Sequence, residues 1–146
     1  MEIKGEVFCT SIGVYSQQLT KRKAYIIEEM NLQNIRICND EDKLKWYSKY
    51  YFSLEVDPEI TDIQIDDQIE NPECDAIEVT IEFSNCQKYW LTFVTPKYLD
   101  KILNEEPYFS SRHFMIIKRL SEESIRSTVR KLDEQNELLE SCKKYK

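Results

Sequence analysis

Ile77, Val79, Ile81 and Phe83 alternate with Glu78, Thr80 and Glu82. Only an extended backbone sends alternate positions to opposite sides, so this stretch fits a strand with one buried and one wet face. Ser84-Asn85-Cys86-Gln87-Lys88 is polar, and Tyr89-Trp90-Leu91-Thr92-Phe93-Val94 is largely apolar again. Two strand-forming runs across a short polar link predict an antiparallel hairpin, residues 76–84 with 88–94.

The flanking sequence adds helices. Thr95 is a good N-cap, and Pro96 occupies the first helical position, where its missing N–H costs nothing. Val94 and Leu99 can staple across that cap, and Pro107 closes the region. Residues 112–118 (Arg-His-Phe-Met-Ile-Ile-Lys) read as a continuous interior strand. Ser121 then caps a helix predicted over 121–140, with Glu122 and Glu123 against its positive end and Leu120 stapled to Ile125. Ile125, Val129, Leu132, Leu139 and Cys142 form its apolar stripe. The pattern predicts an α+β fold: a mostly antiparallel sheet with a long C-terminal helix packed on one face.

Toward the N-terminus the signals are shorter. Residues 2–8 read as a short strand. Ile12, Tyr15, Leu19, Ile26 and Met30 recur at helix-like intervals, predicting an amphipathic helix over about 15–30. Ile35 to Cys38 reads as a strand and Asn39-Asp40 as a turn or cap. Tyr50, Phe52, Leu54 and Val56 alternate as one face of a strand that Pro58 stops. Ile63 and Ile65 mark a short extended piece before a polar loop over 66–75. With 146 residues, one core is expected for 1–146, residues 1–50 being an N-terminal extension of it.

Charge is distributed unevenly. Between Tyr51 and Gln87 stand eleven Asp and Glu and no Lys, Arg or His, while residues 1–50 sum to +1 and residues 88–146 to +3. A block of one sign repels itself, and a basic partner would compensate it by complementary fields. The alternative is a solvated surface that keeps the protein soluble. Asp62, Asp66, Asp67, Glu70, Glu73 and Asp75 lie in the polar segment between strands and are the candidate partner-facing residues. Trp46, Tyr47, Tyr50, Tyr51 and Phe52 form an aromatic cluster; core packing is the default, with Trp46, Tyr47 and Tyr51 the expected exceptions and Trp46 and Tyr51 the candidate interface anchors.

Several chemistries lack their residues. His113 is the only histidine, which removes two-histidine metal motifs, and no G-x-S-x-G elbow accompanies Ser110 and Ser111. The two glycines provide no phosphate-cradling loop. The calcium-loop spacing is absent from the acidic segment. Five widely spaced cysteines without a C-x-x-C pair read as reduced thiols rather than disulfides or a zinc site. An exposed acidic block repels nucleic acid, and Lys21-Arg22-Lys23 is too small to reverse that. No run approaches a membrane span, and Met1 to Glu6 lacks the order of a secretion signal, so a cytoplasmic protein without cofactor or enzymatic activity is expected.

Val94-Thr95-Pro96-Lys97-Tyr98-Leu99 and Ser111-Arg112-His113-Phe114-Met115-Ile116-Ile117 carry a resemblance. In that order, after an acidic lead-in, they resemble the immunity protein 8 family of bacterial polymorphic toxin systems. Members look like an acidic extended stretch, a hydrophobic strand, a Thr-Pro-x-aromatic-Leu helix start, a strand opening with Arg-His, and a C-terminal helix. The match runs from about residue 54 to 139. It departs at Ser111, where the family typically has Gly, and residues 1–50 have no counterpart. The resemblance implies a protein that binds and neutralises a cognate toxin without chemistry of its own; with the acidic surface, the expected partner is a basic toxin such as a nuclease. The same electrostatics would suit an acidic nucleic-acid mimic of a mobile element that blocks a basic host enzyme.

Overall fold

The computed structural model describes residues 5–109 and 113–144. They form two compact units: Met1–Asp57 with Glu134–Asn136, and Pro58–Asp133 with Glu137–Lys146. Where one core was expected, the buried apolar residues form two clusters, one of residues 7–52 and one of residues 63–142. The α+β composition with mostly antiparallel sheets is as expected. No helix among the described residues is long and apolar enough to cross a membrane.

The first unit holds two three-stranded antiparallel sheets. β1 (Glu6–Cys9) lies between β2 (Ala24–Ile26) and a two-residue β6 (Phe52–Ser53), while β4 (Asn34–Cys38) lies between β3 (Glu29–Met30) and β5 (Leu44–Ser48). Val7, Cys9, Ile35, Ile37 and Tyr47 are buried with Ile12, Leu19 and Tyr25. The helix expected over 15–30 is replaced by turns and strands. Arg22 takes a left-handed φ of 72°. The Asp40 carboxylate accepts hydrogen bonds from Thr20 Oγ1 at 2.7 Å, Lys23 Nζ at 2.6 Å and Tyr25 OH at 2.9 Å. These bonds fix the segment from outside itself and override its helical period. Ile26 and Met30, which end that period, are exposed.

The strand expected over 50–56 is also shorter. Ser48 Oγ accepts from the Tyr50 N–H and caps a 3-10 turn over Lys49–Tyr51, after which only Phe52 and Ser53 pair with β1. Phe52 is buried, whereas Tyr50, Leu54 and Val56 are exposed.

The second unit is built on β7 (Ile60–Ile65), β8 (Ala76–Phe83) and β9 (Lys88–Val94), paired antiparallel in sequence order. The hairpin follows the expected bounds, and Cys86 supplies the left-handed φ of 66° at its turn. Ile77, Val79, Ile81, Phe83, Leu91 and Phe93 are buried on one face together with Ile63. Truncating a fully buried Phe such as Phe93 costs about 3–5 kcal/mol. α1 (Pro96–Glu105) starts as predicted, the Thr95 hydroxyl accepting from the Tyr98 N–H at 3.4 Å.

Two expectations are corrected here. β10 (Phe114–Ile116) pairs parallel with β9 at the margin of the sheet rather than in its interior; Ser110, Ser111 and Arg112 lie outside the described residues. The C-terminal helix is not one long helix. α2 (Glu122–Glu134) ends where Asn136 turns left-handed, φ 58°, and the Glu137 N–H closes back on the Leu132 carbonyl at 2.9 Å. A one-turn α3 (Leu138–Ser141) follows, and β11 (Lys143–Lys144) pairs antiparallel with β9. Ile125, Val129, Leu138 and Cys142 are buried in the same cluster as the sheet residues.

Candidate functional site

The alternation that buries Ile77, Val79, Ile81 and Phe83 turns Glu78, Thr80 and Glu82 to the other face of the sheet. Register then determines what joins them. Asp62 lies opposite Glu82, and Gln64 opposite Thr80. Asp66, just past β7, accepts from Thr80 Oγ1 at 2.7 Å, and its N–H donates to the Glu78 carbonyl at 3.0 Å. Asp67 stands at the end of this row, its carboxylate 3.5 Å from the Glu78 N–H. Among the described residues none of Asp62, Asp66, Asp67, Glu70, Glu78 or Glu82 forms an ion pair with Lys or Arg.

The other candidate acids have internal work. Glu73 is held by Lys97 at 3.1 Å and Arg119 at 3.3 Å. The Lys97 hydrogen bond, then the fields of Lys97 and Arg119, hold its carboxyl below the usual range. Asp75 Oδ1 accepts from its neighbour's Ala76 N–H at 2.8 Å, its own N–H donates to Thr95 Oγ1, and its carbonyl accepts from the Thr95 N–H. It secures the cap of α1. Glu70 is exposed beyond the row.

Trp46 and Tyr51 belong to the first unit and the candidate acids to the second. Trp46 is partly exposed on β5 opposite Arg36. Tyr51 is half-buried, edge-on to Tyr15 and Tyr50, and its ring covers Gly13. The His113 ring stands edge-on to Trp90 at 5.6 Å between ring centres, and Lys143 Nζ lies over the same indole at 5.9 Å.

Glu78 and Glu82 were not among the sequence candidates, although the period that defined the strand already placed both on its wet face. Lys88 on β9 stands opposite Glu82 without forming an ion pair with it, so carboxylates side by side on this face can still bind cationic side chains of a partner. Among the described residues no three His, Cys, Asp or Glu are grouped to hold a metal ion. Comparison with known proteins found no matching family model, no matching curated protein and no matching solved structure.

Proposed function

We propose that the protein is an immunity protein that binds a cognate basic toxin and blocks it through the acidic face of β7 and β8. The observation that carries this reading is the row Asp62, Glu82, Asp66 and Glu78, exposed or half-exposed on one sheet face without a cation in ion-pair contact among the described residues. Such a row repels itself, and a basic surface relieves the repulsion on docking. In this reading α2 covers the apolar face of the sheet and leaves the acidic face to the partner. The protein acts in the cytoplasm, by occlusion and without chemistry of its own.

The test is co-expression with a toxin encoded in the same operon, together with association kinetics on the purified pair. The variant Asp62→Asn/Asp66→Asn/Glu78→Gln/Glu82→Gln should fold normally, lose most of its association rate at low salt, and fail to protect the cell. Unchanged association would reduce the acidic face to a solubilising surface.

A further inference from the structure

β7 ends the strand order β10-β9-β8-β7, so among the described residues one of its two edges carries no strand. Backbone pairing shows which groups point there. The Asp66 N–H donates to the Glu78 carbonyl, and hydrogen-bonded positions of an antiparallel pair recur every two residues. Gln64 therefore faces β8 with its backbone, while Ile63 and Ile65 aim N–H and C=O away from it. A single contact on that side agrees: Arg126 Nη1 donates to the Ile63 carbonyl at 2.9 Å. A groove of about 610 Å³ runs along this edge, lined by Asp62, Ile65, Asp67 and Ile69 and, from α2, by Glu122 and Arg126.

We propose that the free edge of β7 is a strand-addition site for a basic, extended polypeptide segment, with Arg126 as a displaceable cap on the Ile63 carbonyl. The proposal rests on the toxin-binding reading above and specifies how the partner is held. An added strand gains main-chain hydrogen bonds from the edge and specificity from alternate side chains. Its positions on the acidic face would meet Asp62 and Asp66, which calls for Lys or Arg. Its intervening positions would meet Ile65 and Ile69, which calls for small apolar residues. Arg126 is already balanced by Glu122 at 3.1 Å, so Asp62 and Asp67 leave the groove negative. The same charge argues against a second copy of this chain, whose own Asp62 and Asp66 would be brought near these.

A six-residue peptide of alternating lysine and valine, the length of β7, is the probe. Its twin carries N-methyl groups on the backbone nitrogens that would face the edge. The parent should bind with salt-sensitive affinity and slow amide exchange at Ile65. The twin should bind about tenfold more weakly or worse, since it keeps every charge and loses two or more main-chain donors. Equal binding of the two peptides would overturn strand addition while leaving the acidic face as the toxin site. Failure of the parent to bind, or a dimer of the protein that the peptide does not dissociate, would overturn strand addition as well. The toxin association experiment then decides the parent reading separately.

Discussion

Asp62 on β7 stands directly opposite Glu82 on β8, two carboxylates in the position where a cross-strand pair normally contributes to sheet stability. Like charges so placed are destabilising, and opposite or neutral pairs differ from them by roughly 0.2–1 kcal/mol. Asp62→Asn should therefore raise the unfolding free energy by about that amount at low salt, with the gain shrinking as salt screens the pair. Urea denaturation at two ionic strengths measures both. If the same substitution also slows association with the proposed basic partner, the repulsion serves that binding; a stability loss would show that Asp62 has a favourable neighbour instead.

Gly13 and Tyr51 make a second close relationship. Gly13 has φ +54°, and a Cβ placed on it would come within 2.7 Å of Tyr51 Cε1. Gly13→Ala therefore meets both backbone strain and a ring collision, and should destabilise the first unit by about 1–3 kcal/mol. Combining it with Tyr51→Ala should remove the collision and leave the backbone component, so the two changes should be less than additive in a double-mutant cycle. Full additivity would mean that the ring is not seated on Gly13.

Asp40 gathers the 20–25 segment, and its titration is expected to be felt. Burial raises its pKa, but hydrogen bonds from Lys23, Thr20 and Tyr25 outweigh burial and the net shift is downward. A carboxylate depressed in the folded state contributes stability above its unfolded pKa of about 3.9 and loses it as pH falls through the lower folded value. Asp40→Asn should cost about 1–3 kcal/mol near neutral pH and flatten the acid limb of the stability profile. An unchanged acid limb would place the sensitivity elsewhere.

The elements that could be read from the chain are those whose determinants are local. The 76–94 hairpin follows from strict alternation, and the start of α1 from Thr95-Pro96. The 15–30 segment does not form the helix its spacing predicts because a determinant of its fold, Asp40, is remote in sequence, while Ile12, Tyr15 and Leu19 mimic a helical stripe. β5 leaves no alternating signal in the sequence because pairing with β4, not alternation of apolar residues, makes it a strand: Leu44 and Trp46 are exposed. The break between α2 and α3 had a signal in the polar run 133–137, whose Asn136 suits a left-handed helix end, but the stripe resuming at Leu139 concealed it. Within the candidate site, composition marked the acidic segment. It could not separate Asp62 and Asp66, which face outward without an ion-paired cation among the described residues, from Glu73 and Asp75, which are occupied by Lys97, Arg119 and Thr95.

The cysteines allow each unit to be followed by chemistry. Cys38 and Cys86 are exposed, while Cys9 and Cys142 are buried, one in each apolar cluster. Burial pushes the Cys9 thiol up to about 11, only partly offset by a backbone hydrogen bond at Ser11, and the Cys142 thiol up to about 12. The thiolate is the reactive form, so at pH 8 these two have about a thousandth and a ten-thousandth of their thiol ionised, in addition to being shielded. A maleimide should label Cys38 and Cys86 quickly in the native protein and reach Cys9 and Cys142 only on opening. Peptide mapping over time then gives separate opening rates: Gly13→Ala should accelerate labelling of Cys9, and Phe93→Ala that of Cys142. Labelling of Cys142 at the rate of Cys86 would contradict the packing of the segment after α3 into the core of the second unit.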